Sequence, residues 1–145
     1  PIALAALSIL DIKIKYLMKK EIFKFPFSIL FKATGGIPVV RSKHTRMVDA
    51  IIEMFNEREE FIVMIPPEAT RSKVDKWKTG FYYVALGAKV PIALGYLDYA
   101  KKEAGFGPLF TPTGDMKKDF KFLQDFYRNV TAKYPHKFNP DSICC

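Results

Sequence analysis

Apolar and polar positions alternate with period two near the start of the chain, where Ile12, Ile14 and Tyr16 are separated by Lys13 and Lys15. That spacing predicts a strand with one buried face. Residues 3–10, almost wholly apolar, read as the tail of a helix. Residues 19–32 interleave Ile22, Phe23, Phe25, Phe27, Ile29, Leu30 and Phe31 with Lys19, Lys20, Lys24 and Lys32. Pro26 suits the first turn of a helical second half, and Gly35-Gly36 stops it. After a short strand over 37–40, Val48, Ile51, Ile52 and Phe55 recur at helical spacing and predict a helix over 45–56. The continuous apolar run at 61–65 has the length and composition of a strand covered on both faces.

Strand, helix and strand in this order predict a right-handed parallel crossover. Pro66-Pro67 ends the run and a polar loop extends to Lys78. A helix over 79–89 packs Phe81, Tyr82, Val84, Ala85 and Leu86, and residues 90–97 predict a third parallel strand. The fold class is α/β, a mostly parallel central sheet flanked by helices. Residues 98–110 suit a hairpin turning at 101–105. Residues 115–133 form an amphipathic helix with Met116, Phe120, Leu123, Phe126, Tyr127 and Val130 on one face and Lys117, Lys118, Lys121, Gln124, Asp125 and Arg128 largely opposite. The tail from Tyr134 reads as irregular, and neither repeats nor low-complexity segments occur.

A length of 145 residues with 49% hydrophobic and 26% charged residues suits one domain over 1–145 and excludes disorder. The formal net charge of +8 points to an anionic partner: nucleic acid, a phosphorylated small molecule or a membrane surface. Cys144 and Cys145 are neighbours, so a bond between them would be strained and would close no useful loop. Without other cysteines, and with only His44 and His136, no metal site is expected, and the cysteine usage suits a reducing compartment. Residues 1–10 lack a basic leader and cleavage site, and no uncharged apolar run approaches the roughly 18–20 residues of a membrane span.

Three segments stand at the C-terminal ends of predicted strands, where open α/β sheets hold their ligands. In Gly35-Gly-Ile-Pro-Val-Val-Arg41 a strand delivers a guanidinium able to grip a phosphate through two parallel hydrogen bonds. Pairing of Arg41 with Asp49 or Glu68 explains that segment equally well. In Ile65-Pro-Pro-Glu-Ala-Thr-Arg-Ser72 a carboxylate, two hydroxyls and a guanidinium crowd one strand end, more polar chemistry than a connecting loop requires. Arg71, Thr70 and Ser72 suit phosphate oxygens, while Glu68 suits holding Arg41 or Arg71, since a lone carboxylate beside an anionic substrate would repel it. The alternative is a solvated loop with a structural ion pair. The third segment, Val90-Pro-Ile92, is packing by composition.

Taken in order, these segments resemble the glycerolipid acyltransferase family, the 1-acylglycerol-3-phosphate acyltransferases and their relatives. The family's second block, Gly-x-Ile-Pro-Val-x-Arg, is matched from Gly35 through Gly36 to Arg41. Its third, Pro-Glu-Gly-Thr-Arg-Ser, is matched from Pro67 to Ser72 with Ala69 in place of glycine, and its fourth, Val-Pro-Ile, from Val90 to Ile92. Lys78-Thr-Gly80 looks like the Lys-x-Gly that starts the helix between the last two blocks. Where glycine serves a positive φ, alanine is strained, so Ala69 tests the conformation of this loop.

The resemblance implies transfer of a fatty acyl group from a thioester, on coenzyme A or acyl carrier protein, to a hydroxyl of a phosphorylated glycerol-type acceptor in phospholipid biosynthesis. It implies no cofactor beyond that co-substrate, and a protein on the cytoplasmic side, peripheral to the membrane surface. Arg41, Thr70, Arg71, Ser72 and Lys78 are the expected acceptor-binding residues, with Glu68 in a supporting role. The family's first block, His-x-x-x-x-Asp, supplies a general base and its orienting carboxylate. Residues 1–35 contain no histidine. The catalytic pair is therefore expected upstream of Pro1, on a domain lacking its N-terminal segment in this chain, since in the family an apolar helix like 2–10 directly follows the first block.

His44-Thr-Arg-Met-Val-Asp49 spells the same pattern but follows the second block, and residues five apart on a helix point about 140° from each other. His44 reads as an ordinary polar residue near a helix start, and His136 as structural or exposed. The 19–32 stretch reads either as an interfacial surface meeting anionic headgroups or as core aromatics with solubilising lysines. A nucleic-acid module would also use the positive charge and the 14% aromatic content, but no nucleic-acid motif accompanies them, and none is expected as partner. A catalytically inactive binder of lipid phosphate is the remaining alternative.

Overall fold

The computed structural model describes residues 14–19, 29, 31, 33–39, 44–70 and 72–143. The expected helix over 3–10, most of the 19–32 stretch with Pro26, Arg41, Arg71 and the two terminal cysteines lie outside them. The chain divides between Pro66 and Pro67 into two compact units.

The first unit holds a parallel sheet of three strands, β1 (Ile14–Lys19), β2 (Gly36–Val39) and β3 (Ile62–Met64), in the order β2-β1-β3. The alternation at Ile14, Lys15 and Tyr16 appears as half-buried, exposed and half-buried positions. Tyr16 pairs with Gly36 on one side and with Met64 on the other. Gly35 turns the chain into β2 with φ 91°, and a Cβ there would meet the Ile14 carbonyl oxygen at 2.8 Å, so only glycine fits.

Between β2 and β3 runs α1 (His44–Asn56), which places Ile51, 1% exposed, on its buried side, with Val48, Ile52 and Phe55 partly buried. Arg58 closes its end by donating to the Met54 carbonyl at 2.9 Å. Phe55 and Phe61 meet edge to face at 4.8 Å. The expectation of a strand covered on both faces fails at β3. Only Ile62–Met64 is strand, and Ile62 is 52% exposed. Among the described residues β3 pairs with β1 alone, so its apolar run lies at a sheet edge rather than in the middle.

In the second unit α2 (Gly80–Ala88) ends where Lys89 turns left-handed and its N–H donates to the carbonyls of Ala85 and Leu86. Next comes an antiparallel hairpin, β4 (Ile92–Asp98) and β5 (Glu103–Phe110). This corrects the expected third parallel strand over 90–97, which pairs with its own successor in a two-stranded sheet. The turn also sits earlier than 101–105. Asp98 accepts hydrogen bonds from the N–H groups of Ala100 and Lys101 at 3.0 and 3.1 Å, and that side-chain cap sets the turn at residues 99–102.

The amphipathic helix is α3 (Met116–Tyr127), capped by Asp115, which accepts from the Lys118 N–H at 3.1 Å. It stops short of residue 133. The tail is more ordered than expected: 3₁₀ turns at Pro135–Lys137 and Pro140–Ser142 return the chain so that Ile143 is buried. The core joins Trp77, Tyr82, Leu94, Phe110, Phe120, Leu123 and Ile143. Removal of a buried aromatic such as Phe120 from a core like this costs roughly 3–5 kcal/mol.

Candidate functional site

Pro66 and Pro67 carry no N–H and cannot continue a ladder, so the chain leaves β3 as a loop that belongs to the second unit from Pro67 onward. Its base is closed by a hydrogen bond from the Lys78 N–H to the Pro67 carbonyl at 2.8 Å. Next to this closure the Trp77 N–H donates to the Ser142 carbonyl at 2.9 Å, and the indole is buried in edge contacts with Phe81 and Tyr127. The loop thus rests on a packed anchor, with Ala69, Thr70 and Ser72 exposed above it.

Ala69 has φ 56°, the left-handed region in which a Cβ is costly. The departure from glycine therefore falls at a position whose backbone calls for glycine, and the alanine holds that conformation under strain. Immediately after it, the Ser72 N–H donates to Thr70 Oγ1 at 3.3 Å. A hydroxyl that accepts one hydrogen bond still has its own proton to donate. Thr70 and Ser72 are both exposed, and each retains an O–H donor. The Ser72 N–H, by contrast, is already used.

Glu68 is half-buried, and that burial pushes its carboxyl above the ordinary carboxylate range. No cation pairs with it among the described residues. Lys78 is exposed at the foot of the loop, one residue before the Thr79 carbonyl that accepts the Tyr82 N–H at 3.0 Å. The structure thus brings Glu68, Thr70, Ser72 and Lys78 onto one closed loop. Arg41 and Arg71 lie outside the described residues. His44 and Asp49 share α1, where residues five apart diverge, and Asp49 is exposed.

A polar cluster that the sequence reading passed over lies in the same unit. Asp119, 2% exposed, accepts from the Tyr82 hydroxyl at 2.7 Å, from the Thr113 N–H at 2.8 Å and from the Thr113 hydroxyl at 2.8 Å. Burial alone would raise its pKa, but these hydrogen bonds outweigh burial and hold it below the ordinary range. Burial, and then the Asp119 carboxylate, push the Tyr82 hydroxyl up to about 12. The sequence carried one signal for it: Asp119 falls between Met116 and Leu123 on the apolar face of its helix.

Among the described residues no group of histidine, cysteine, aspartate and glutamate could hold a metal ion, and no helix is long and apolar enough to cross a membrane. A family model described as Acyltransferase matches residues 2–93. No curated protein and no solved structure matches the chain.

Proposed function

The chain belongs to the acyltransferase family, and from that premise we propose that it acylates a phosphorylated glycerol-type acceptor in phospholipid biosynthesis, with a thioester of coenzyme A or acyl carrier protein as donor. The observation that carries this reading is the loop Pro-Glu-Ala-Thr-Arg-Ser at 67–72, whose turn at Ala69 leaves two hydroxyl donors on either side of Arg71. Two hydroxyls and a guanidinium in consecutive positions suit the oxygens of one phosphate. Arg41, at the end of the Gly-Ile-Pro-Val-Val-Arg segment, supplies the second guanidinium, and Lys78 adds positive charge at the foot of the loop.

In the proposed reaction the acceptor hydroxyl oxygen attacks the thioester carbonyl carbon. An ester C–O bond forms, the C–S bond breaks, the hydroxyl proton passes to a general base, and the thiolate leaves to be protonated. The base and its carboxylate partner are the roles of the family's His-x-x-x-x-Asp block, and residues 1–35 hold no histidine to fill the first. Glu68 is assigned to organising the arginines rather than to taking that proton. The protein works at the cytoplasmic membrane face, held peripherally.

Steady-state kinetics on the full-length protein, with acyl-coenzyme A or acyl carrier protein and either 1-acylglycerol-3-phosphate or its dephosphorylated counterpart, test this. Arg41→Ala and Arg71→Ala should each cost ~1.5–3 kcal/mol of acceptor binding, about tenfold to a hundredfold in kcat/KM, with little effect on the dephosphorylated acceptor. Unchanged KM and kcat would refute the phosphate role, and absence of transfer from either donor would refute the reaction.

A further inference from the structure

The hairpin turn after β4 and the turn after α3 meet in a cluster of exposed tyrosines and lysines. The Tyr99 N–H donates to the Thr131 carbonyl at 2.9 Å, which ties the two turns together. Lys133 Nζ lies 5.9 Å from the Tyr99 ring centre and 5.5 Å from that of Tyr134, and Lys137 Nζ lies 5.2 Å from Tyr134. Tyr99 is 37% exposed and Tyr134 52%. Lys101 and Lys102 follow Tyr99 in the same turn, both exposed.

The acidic groups here do not cancel this charge. Asp98 is buried, its carboxylate taken up by the turn's own N–H groups and by the Lys101 ammonium at 3.8 Å. Glu103, at the start of β5, is exposed and directly follows Lys102, with no ion pair to a lysine among the described residues. Because Asp98 caps the turn and Thr131 ties it down, the tyrosines and lysines are displayed on a fixed backbone rather than on a free loop.

We propose that the Tyr99, Lys102, Tyr134 and Lys137 surface, with Lys133 at its centre, is a docking face for an anionic lipid bilayer. Tyrosine rings suit the zone between headgroup and acyl chain, and lysine ammoniums held above them meet lipid phosphates. A nucleic acid fits less well: a base needs a free aromatic face for stacking, and Tyr134 already has ammoniums at 5.5 and 5.2 Å from its centre. The inference rests on the reading of the chain as an enzyme of lipid acceptors, and it places a membrane contact on residues outside the 19–32 stretch.

Vesicle flotation of the full-length protein tests it, using phosphatidylcholine vesicles and equimolar phosphatidylcholine–phosphatidylglycerol vesicles. A surface lysine is worth about fivefold in partitioning to an anionic membrane, so Lys133→Gln with Lys137→Gln should lower binding to the mixed vesicles about 25-fold. Tyr99→Ser with Tyr134→Ser should weaken it as well, with urea midpoints unchanged in both doubles. Lys117→Gln with Lys118→Gln, the same charge loss on exposed positions of α3, should change binding no more than about fivefold. Equal loss in that control would overturn the proposal, as would unaltered vesicle binding in the first double, or a loss confined to single-stranded RNA. Transfer to a water-soluble, short-chain 1-acylglycerol-3-phosphate separates the two readings. If the parent protein transfers and the doubles float like it, the docking face is wrong and the reaction stands. If the parent protein does not transfer but the doubles lose flotation, the reaction is wrong and the docking face stands.

Discussion

Replacement of Tyr82 by phenylalanine removes one oxygen from the buried cluster and leaves the ring packed against Phe120 at 5.7 Å. The hydroxyl donates to Asp119 at 2.7 Å and accepts from the Gly114 N–H at 3.2 Å. The first bond ends on a carboxylate, which puts its net worth at ~1.5–3 kcal/mol. The second is longer, and Gly114 is exposed, so its N–H turns to water at a cost of a few tenths of a kcal/mol, about 0.3. Tyr82→Phe should therefore destabilise the protein by about 2–3 kcal/mol in urea denaturation followed by far-UV circular dichroism, with the slope against denaturant unchanged. A double-mutant cycle with Asp119→Asn should return a coupling of ~1–2 kcal/mol. The pH dependence supplies a second check. The native tyrosine keeps its proton up to about 12 against an ordinary 10.0, so the native state binds more protons in that interval. The associated stability is complete below pH 10 and is lost as pH rises toward 12. The variant should lose part of that alkaline slope, the remainder belonging to Tyr127, which burial also pushes up to about 12. A destabilisation below about 0.5 kcal/mol, or an alkaline slope equal to the parent's, would refute the assignment of a charge-assisted bond.

Ala69→Gly should stabilise the protein by ~0.5–1 kcal/mol in the same denaturation assay, since relief of the left-handed alanine exceeds the added chain entropy; a loss of stability would contradict the turn. Gly107→Ala should cost ~1–3 kcal/mol, because the new Cβ would clash with ring atoms of Phe126. The penalty should vanish in a Phe126→Ala background. The N–H hydrogen bond from Lys101, ahead of the opposing effect of burial, holds Asp98 below the ordinary carboxylate range. Protection of the Ala100 and Lys101 amides should accordingly be full above that range and fall as pH drops through the depressed value, with Asp98→Ala losing it at every pH.

Helices were legible because their information is local: Val48, Ile51, Ile52 and Phe55 lie on one side of a cylinder whatever the rest of the chain does. Strand partners were not. The run at 61–65 and the run at 90–97 look alike in composition, yet one ends a parallel sheet beside β1 and the other folds back on β5. The second outcome turned on Asp98, whose side chain substitutes for a glycine turn, a short-range signal hidden in an ordinary acidic residue. In the site, the crowding of Glu68, Thr70, Arg71 and Ser72 was readable directly, and the strained turn followed from asking what alanine does in a glycine position. The Asp119 cluster stayed hidden because its partners Tyr82 and Thr113 come from distant and irregular segments, and a charged residue on an apolar helix face marks a buried pair without saying with whom.

Trp77 is the chain's single tryptophan, and its indole N–H is buried without a hydrogen-bond partner among the described residues. An indole in such surroundings emits at short wavelength, and excitation beyond the tyrosine absorption band isolates its signal. Its position at the foot of the 67–78 loop makes it a built-in optical reporter. Emission shifts to the red when the second unit unfolds and the indole meets water. Loss of packing in the second unit can therefore be timed without an added dye.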